Sequence, residues 1–356
     1  DSPPTLHGRM GGTTAERLTE LCGRISYDSL GAKKAHDSDG FHAHIREVGH
    51  SSVWEHFNFT VSVPWTVDGA EHVPYCLLNH PGLWVSRNAV RLRLTLNLRT
   101  AAQWFDERWF KADPWAVRIG AVVQTIAHRI APRVVAMNED WCSPLDLIKD
   151  RPHDPILSGS SIDEPRSDHE RWISLYLRGS RGMSHEVVRH GDWTAISQRS
   201  TRYCDESESP WVEHPLVTAC LKVHEEEQGA IEYTHGIIDT EKTARATYNE
   251  WVTRLQLWLT SCGVDKLSAR KQARGAARGY LGNALETEMI FSASVAQWRH
   301  KLRLRASDAA DAEIRALFCE ALGVLKGCRY GGSFADLELA PAKDGIGMAL
   351  RDGGAK

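Results

Sequence analysis

The sequence predicts a chain of mixed structure, in which amphipathic helices are interspersed with short strands. Three observations carry that expectation. Leu18, Leu21, Cys22 and Ile25 recur at helical intervals behind Thr13 and Glu16, which stand at capping-box spacing. Phe57 to Val63 is apolar at every second position, the pattern of a half-buried strand. Ala244, Tyr248, Trp251, Leu255, Trp258 and Leu259 draw one apolar stripe along a long helix that Gly263 ends.

Taken in order, the first helix covers residues 14 to 25 and leads into Arg24-Ile25-Ser26-Tyr27. Pro64 closes the strand that follows. Residues 67 to 180 hold six of the 13 tryptophans (Trp84, Trp104, Trp109, Trp115, Trp141 and Trp172) among Pro and Gly breaks, and read as an inserted subdomain. Within it, Asp113 before Pro114 offers an N-cap and a first-turn proline, so Val117 to Ile130 reads as a helix. Residues 149 to 170, rich in Asp, Ser, Pro and Arg, read as a polar linker or mobile loop. Asp265 is placed to cap a basic helix, Glu288 to Ser294 reads as a strand, and one long final helix is expected from about Ser294 to Leu325. No convincing repeat emerges; Asn97 to Ala102 only faintly echoes Arg303 to Asp308.

With 356 residues, 42% hydrophobic and 25% charged, the chain has room for one large domain or two modest ones. A formal net charge of -3 argues against a general nucleic-acid binder, so an anionic ligand must meet a local basic cluster. No apolar run approaches the roughly 18 residues of a spanning helix, and the opening Asp1-Ser2-Pro3-Pro4 lacks the pattern of a signal peptide. The expectation is a cytoplasmic protein with no membrane partner. Asp1 is not Met, which leaves room for a longer product. The eight cysteines are scattered without a C-x-x-C pair or zinc-ligand spacing, and read as reduced, mostly buried thiols with no metal. His42, His44, His50 and His56 also miss zinc spacing.

The densest polar cluster runs from His185 to Trp193 and continues through Ser197-Gln198-Arg199-Ser200-Thr201-Arg202-Tyr203. Guanidinium forks suit phosphate, and Gln, Ser and Tyr suit a heterocycle; a solvated charged loop is the alternative. Lys271, Arg274 and Arg278 share about one helical face, where three cations repel unless an anion or an acidic partner sits among them. Arg299, Arg303 and Arg305 enlarge the basic inventory. Gly49-His50-Ser51-Ser52-Val53-Trp54-Glu55-His56, just before the strand, offers imidazoles, hydroxyls and a carboxylate for a cofactor pocket.

Arg189-His190 followed by Ser197 to Tyr203 resembles the R-H-R, then S-x-R-Y, signature of flavin-dependent thymidylate synthases. Gly49 to His56 is similar to that family's G-H-x-S-x-x-E-H flavin segment, and Arg24 to Tyr27 to its A-R-x-S-Y. Lys271 to Arg278 resembles its K-Q-A-R-x-A-A-R helix, and Trp298 to Ser307, ending Ala312-Glu313-Ile314-Arg315, its C-terminal helix. The five blocks stand in the family's order and cover roughly residues 13 to 64 and 180 to 338.

The resemblance implies an α+β fold, with helices around a central, mostly antiparallel sheet and a largely helical insertion. It divides the chain into 1–66 (flavin segment), 67–180 (insertion), 181–338 (nucleotide signature and basic helices) and a tail, 339–356. It implies that Glu186, Arg189, Gln198, Ser200, Arg202, Tyr203, Lys271, Arg278 and Arg305 contact the nucleotide, with Arg202, Lys271 and Arg278 on the phosphate and Arg305 polarising the uracil. FAD would contact His50, Ser52, Glu55, Arg189 and His190, with Ser26 nearby and Ser294 and His300 on the cofactor side. The implied reaction is C5 methylation of UMP or dUMP, with methylenetetrahydrofolate as carbon donor and NADPH as reductant, in a homotetramer whose sites lie between subunits. No cysteine has the Pro-Cys-His setting of the flavin-independent enzymes.

Several residues depart from the pattern. Gly191 replaces the third residue of R-H-R, and Arg189 to Tyr203 is one residue longer than the common spacing. Ser294 and Ala296 stand where many members have Asn and Arg, and Ala309 where His is common. These changes and the insertion point to a specialised relative, such as the UMP methylases of polyoxin-type nucleoside antibiotic pathways. The alternatives are a non-catalytic flavin- or nucleotide-binding relative and an ordinary dUMP-specific thymidylate synthase.

Overall fold

The computed structural model describes residues 10, 12–30, 37–64, 73, 75–78, 80–88, 90–104, 106, 113–135, 159–189, 194–223 and 228–351. The first helix, Thr14–Ser26, starts as its capping box requires: Thr13 Oγ1 accepts from Glu16 N at 3.2 Å and Glu16 Oε2 accepts from Thr13 N at 2.9 Å. A second helix, Ser38–Glu47, and a 3-10 turn, Ser51–His56, lead into strand β1, Asn58–Pro64. Strands β2 (Leu83–Arg87), β3 (Arg91–Asn97) and β4 (Ser161–Asp163) complete an antiparallel sheet in the order β2-β3-β1-β4. A second antiparallel sheet, ordered β5-β7-β6, is built from β5 (Trp172–Ser180), β6 (Thr194–Gln198) and β7 (Glu286–Ser294). A small hairpin of β8 (Leu339–Pro341) and β9 (Met348–Leu350) follows.

The predicted mixture of helices and antiparallel strands is observed, but the segment 67–180 is not largely helical among the described residues. It contributes β2, β3, β4 and β5 beside the helices Tyr75–Leu78, Leu98–Ala102 and Pro114–Ile130. The reason lies in Arg91 to Asn97, where Leu92, Leu94 and Leu96 alternate onto one fully buried face. The sheet with the signature strand also begins at Trp172, eight residues before the expected 180–181 boundary. Part of the expected loop 149–170 is structured as well: Ser161–Asp163 pairs with β1, and buried Glu170 accepts from Arg93 Nε and Nη2 at 3.0 and 2.9 Å. Residues 149 to 158 lie outside the described residues.

The expected single final helix is two, Val295–Arg305 and Ala312–Lys326. Asp311 interrupts it by accepting from Glu313 N at 3.0 Å as an N-cap, while the Ala306 carbonyl receives Leu350 N instead of a helical donor. The Asp113 cap forms as predicted, accepting from Trp115 N and Ala116 N at 2.8 and 3.0 Å.

A repeat does exist, in a different register from the faint echo. Apart from β4, each sheet is made by a strand, a short helix (Tyr75–Leu78 in the first, Arg181–Val187 in the second), two further strands and two helices, with the order β2-β3-β1 matched by β6-β7-β5. Asn58, the first residue of β1, pairs with Asn97, and Trp172, the first of β5, pairs with Ser294. Leu83, the first of β2, pairs with Leu96, and Thr194, the first of β6, pairs with Ala293. In this register a cross-strand hydroxyl pair recurs at one site, Thr60 with Thr95 at 2.8 Å and Ser174 with Ser292 at 2.6 Å. The last residue of the third strand caps the next helix in both copies, Asn97 accepting from Thr100 N and Ser294 from Gln297 N. The copies differ in one connection: residues 88–90 join β2 to β3, whereas 199–285 join β6 to β7.

His56, 1% exposed, ties the 3-10 turn to the second sheet, with Nε2 2.9 Å from Ser197 Oγ and Nδ1 2.7 Å from Ser292 Oγ. Burial pushes its imidazole from the ordinary 6.5 down to about 3. The folded protein therefore keeps His56 neutral while the unfolded chain binds a proton below pH 6.5, so this contribution is present above that pH and is lost as pH falls toward 3. Moving from pH 7.5 to 5 is expected to cost the wild type about 2 kcal/mol more than it costs His56→Gln. Urea unfolding of the two proteins at both pH values measures this, and equal losses would remove His56 as the source.

Candidate functional site

The signature loop leaves β6 at Gln198 and turns at once. Ser200 N donates to Ser26 O at 3.0 Å, and Tyr203 N and Cys204 N both donate back to Ser200 O at 3.1 and 2.9 Å. The Lys266–Ala277 helix, capped by Asp265 as predicted, lies against this turn. Arg274 Nη1 donates to Tyr203 O at 2.7 Å and its Nη2 to Asp205 Oδ2 at 2.5 Å. Arg245, on the long Gln228–Ser261 helix, holds the next stretch through Ser207 O at 2.7 Å and Ser209 O at 3.0 Å. The loop is thus strapped from two helices.

The three cations of the basic face divide by role. Arg274 is spent on the loop, Lys271 Nζ stands 4.5 Å from the centre of the Tyr203 ring, and Arg278 Nη1 reaches Thr201 Oγ1 at 3.4 Å. Among the described residues, Arg202, Lys271 and Arg278 have no carboxylate partner. Their field is felt nearby. The His50 imidazole is lowered by burial and then by the charges of Lys271, His44 and Arg202, and the Arg181 guanidinium is lowered by burial and by Arg278. An anion is the species such a field favours.

His50, Arg202, Tyr203 and Lys271 line one cavity of about 530 Å³, with Arg24 and Tyr27. Tyr27 bonds His50 Nδ1 through its hydroxyl and meets the Tyr203 ring edge-on at 5.0 Å, and burial beside Tyr203 raises its phenol to about 12. Of the other expected residues, Ser26 acts through its carbonyl and Ser200 through the turn. Gln198 Nε2 donates to Ser184 Oγ and Thr287 Oγ1, each at 3.0 Å.

The remaining expected residues stand elsewhere within one chain. Arg305 is ion-paired with Glu186 at 2.8 Å and donates to its carbonyl at 2.9 Å. Arg189 is exposed at the end of the Arg181–Val187 helix, and its carbonyl accepts from Lys301. Ser52 and His300 are exposed, whereas Ser294 is buried as a helix cap. Glu55 pairs with Arg99 beside a second cavity. His190 and Gly191 lie outside the described residues.

Sequence reasoning missed Tyr27, Lys301 and the strap role of Arg274. Tyr27 was in view inside its motif, and only the fold shows it bonded to His50. Lys301 is fully buried, donates to Val187 O at 2.6 Å, and is lowered to about 8 by burial and Arg305. A lysine among the arginines of a helix carries no sequence signal for that role.

Fold and cavity together give a cleft with a positive field in a protein of helices and antiparallel sheets. Residues 172–327 match the model of the family described as thymidylate synthase complementing protein. A flavin-dependent thymidylate synthase of Mycobacterium bovis (strain BCG / Pasteur 1173P2) is 34% identical over 178 residues, 50% of this chain and 66% of the relative. The enzymes of the same name from Mycobacterium marinum and Mycolicibacterium gilvum are 36% and 35% identical over the same shares. The chain spans 66% of the length of these curated relatives. Over this stretch the chain is similar to the flavin-dependent thymidylate synthases.

Arg274→Ala is expected to lower stability by about 1–3 kcal/mol, the cost of losing a partly buried charged hydrogen bond, and to speed amide exchange across residues 199–205. Lys271→Ala should cost under about 1 kcal/mol. Similar stabilities and exchange rates for both variants would show that Arg274 is not the strap.

Proposed function

We propose that this protein catalyses the FAD-dependent methylation of C5 of a uridine monophosphate nucleotide, UMP or dUMP, with methylenetetrahydrofolate as carbon donor and NADPH as reductant. The observation that carries the reading is the shared cavity: His50 of the flavin-like segment faces Arg202, Tyr203 and Lys271 of the nucleotide-like segments. The family's curated members are named flavin-dependent thymidylate synthases, which supports the flavin and the uracil chemistry.

In this reading Arg202, Lys271 and Arg278 take the phosphate, with Gln198, Ser200 and Tyr203 around the nucleoside. Arg305, held by Glu186, stabilises negative charge as C5 becomes nucleophilic. Ser26, His50, Ser52, Glu55, Arg189, His190, Ser294 and His300 form the cofactor side. Residues 67 to 171 elaborate the chain ahead of the sheet that carries the signature.

A homotetramer is part of the proposal. Arg305 and Glu186 do not line the cavity that holds Lys271. The long helix leaves Tyr233 60%, Leu257 69% and Trp258 60% exposed, apolar area suited to a second copy. Ser294 and Ala296, in place of the common Asn and Arg, favour one other reading, a non-catalytic relative that binds flavin or nucleotide. A cytoplasmic role in nucleoside antibiotic synthesis accords with the departures from the common pattern.

Incubation with FAD, NADPH, methylenetetrahydrofolate and either UMP or dUMP, followed by mass spectrometry, is expected to show a 14-dalton gain on at least one nucleotide, the mass of a methylene unit. Flavin binding without methyl transfer would instead establish the non-catalytic reading. Arg305→Ala should abolish turnover while circular dichroism stays unchanged. Light scattering should give four chains per particle, and a monomer would refute the shared-site assembly.

A further inference from the structure

Two cations one turn apart on the Val295–Arg305 helix close on the end of a second helix, Arg181–Val187. The last carbonyls of a helix have no partner within it. Here Lys301 Nζ donates to Val187 O at 2.6 Å and to Arg189 O, and Arg305 Nη2 donates to Glu186 O at 2.9 Å. Arg305 Nη1 also holds the Glu186 carboxylate at 2.8 Å. The helix end is thus gripped at Glu186, Val187 and Arg189 from one neighbouring helix, and the negative end of its dipole lies toward both charges.

Lys301 is the costly member of the pair. It is fully buried, its ammonium stands 5.7 Å from the centre of the Phe291 ring, and no carboxylate among the described residues pairs with it. Burial and the charge of Arg305 hold it down at about 8. An apolar side chain of the same length would pack against Phe291 without the cost of desolvating a charge. What it would lose is the grip on Val187 and Arg189, so core packing alone is a weak reason for a lysine here.

The consequence falls on Arg305. Its Nε is buried with no hydrogen-bond partner among the described residues, so the bonds to the carboxylate and carbonyl of Glu186 orient its guanidinium. Glu186 is the residue before Val187, whose carbonyl Lys301 holds. A helix end that frayed would carry Glu186 away and leave Arg305 without its guide.

We propose that Lys301 is a positioning residue: by holding Val187 and Arg189 it fixes the end of the Arg181–Val187 helix, and so sets where Glu186 and the Arg305 guanidinium stand. Its effect on turnover rests on the reading of Arg305 as the group that stabilises charge on the uracil. In that reading Arg202, Lys271 and Arg278 take the phosphate, so losing Lys301 is felt in the chemical step and not in capture of the nucleotide.

The test compares wild type with three variants. Lys301→Met keeps the length and removes the donors, Lys301→Gln keeps N–H donors without the charge, and Leu302→Ala loosens the same helix but leaves both cations. Leu302 is fully buried and belongs to the core. In Lys301→Met, kcat is expected to fall about tenfold or more, because a small misplacement of a reacting group is costly in rate, while KM for the nucleotide stays within about threefold. Amide exchange at residues 186–189 should quicken about tenfold or more, the size of one charged hydrogen bond, and beyond any change in Leu302→Ala. Lys301→Gln should fall between wild type and Lys301→Met in both readouts. Equal losses of kcat in Lys301→Met and Leu302→Ala, a KM effect at constant kcat, or unchanged exchange at 186–189 overturns the inference while the proposed function stands. If both Lys301 variants fail to fold, Lys301 serves folding and the inference also falls. A wild type without turnover overturns the proposed function, and the exchange comparison then decides by itself whether Lys301 holds the helix end.

Discussion

The arrangement of the site depends on one buried, neutral imidazole. His56 joins Ser197 on β6 to Ser292 on β7, and Ser292 in turn bonds Ser174 on β5. A line of polar atoms therefore crosses all three strands of the second sheet and ends in a segment that precedes the first sheet. It joins buried Val53 and Trp54 and the Tyr27–His50 bond in fixing the Gly49 to His56 stretch against the strand that launches the signature loop. The low pKa of His56 follows from the same burial: a charged ring there would carry a proton with no anion beside it. The connection costs no charge, and its rigidity places His50 opposite Tyr203.

Around this anchor the arginines fall into two groups, and geometry, not composition, separates them. Arg274 is held by Asp205, Arg305 by Glu186, Arg93 by Glu170 and Arg299 by Asp336, so these cations shape loops and seams. Arg202, Lys271 and Arg278 lack carboxylate partners among the described residues and lie near one another. A near-neutral chain can thus present a strongly positive pocket, because its acidic residues sit beside the structural arginines and away from the pocket.

Local rules were legible in the sequence wherever one residue type does one job. The Thr13–Glu16 box, the Asp113 and Asp265 caps and the strand β1 appear where their spacing placed them, although β1 is buried on both faces and not half-buried, with Thr60 and Ser62 as covered as Val61 and Val63. Legibility ended where a tertiary partner decides. Asp311 reads equally well inside a helix or as a cap, and the Leu350 amide arriving at Ala306 tips it to a cap. Glu170 sits in a polar stretch that looks like a loop until Arg93 is seen to bury it. Lys271 and Arg274 are three residues apart on one face with opposite fates, because only Arg274 lies within reach of Tyr203 O.

The repeat shows what kind of signal survives divergence. The two copies share few residue identities, since Leu94 faces the core where Phe291 does, and Asn58 stands where Trp172 does. What persists is strand register, a paired hydroxyl across the first and third strands, and a capping side chain at the third strand's end, each set by backbone geometry. A side chain that packs has many substitutes; a hydroxyl that must pair across buried strands has only Ser or Thr. The copies have diverged where geometry leaves freedom, in the connection between their second and third strands. Residues 88–90 close that gap with a hairpin in the first repeat, and 199–285 fill it with the signature loop and basic helices in the second. Arg202, Arg270 and Lys271 of the positive cavity come from that connection, and they face Arg24, His44 and His50 from the N-terminal part of the chain.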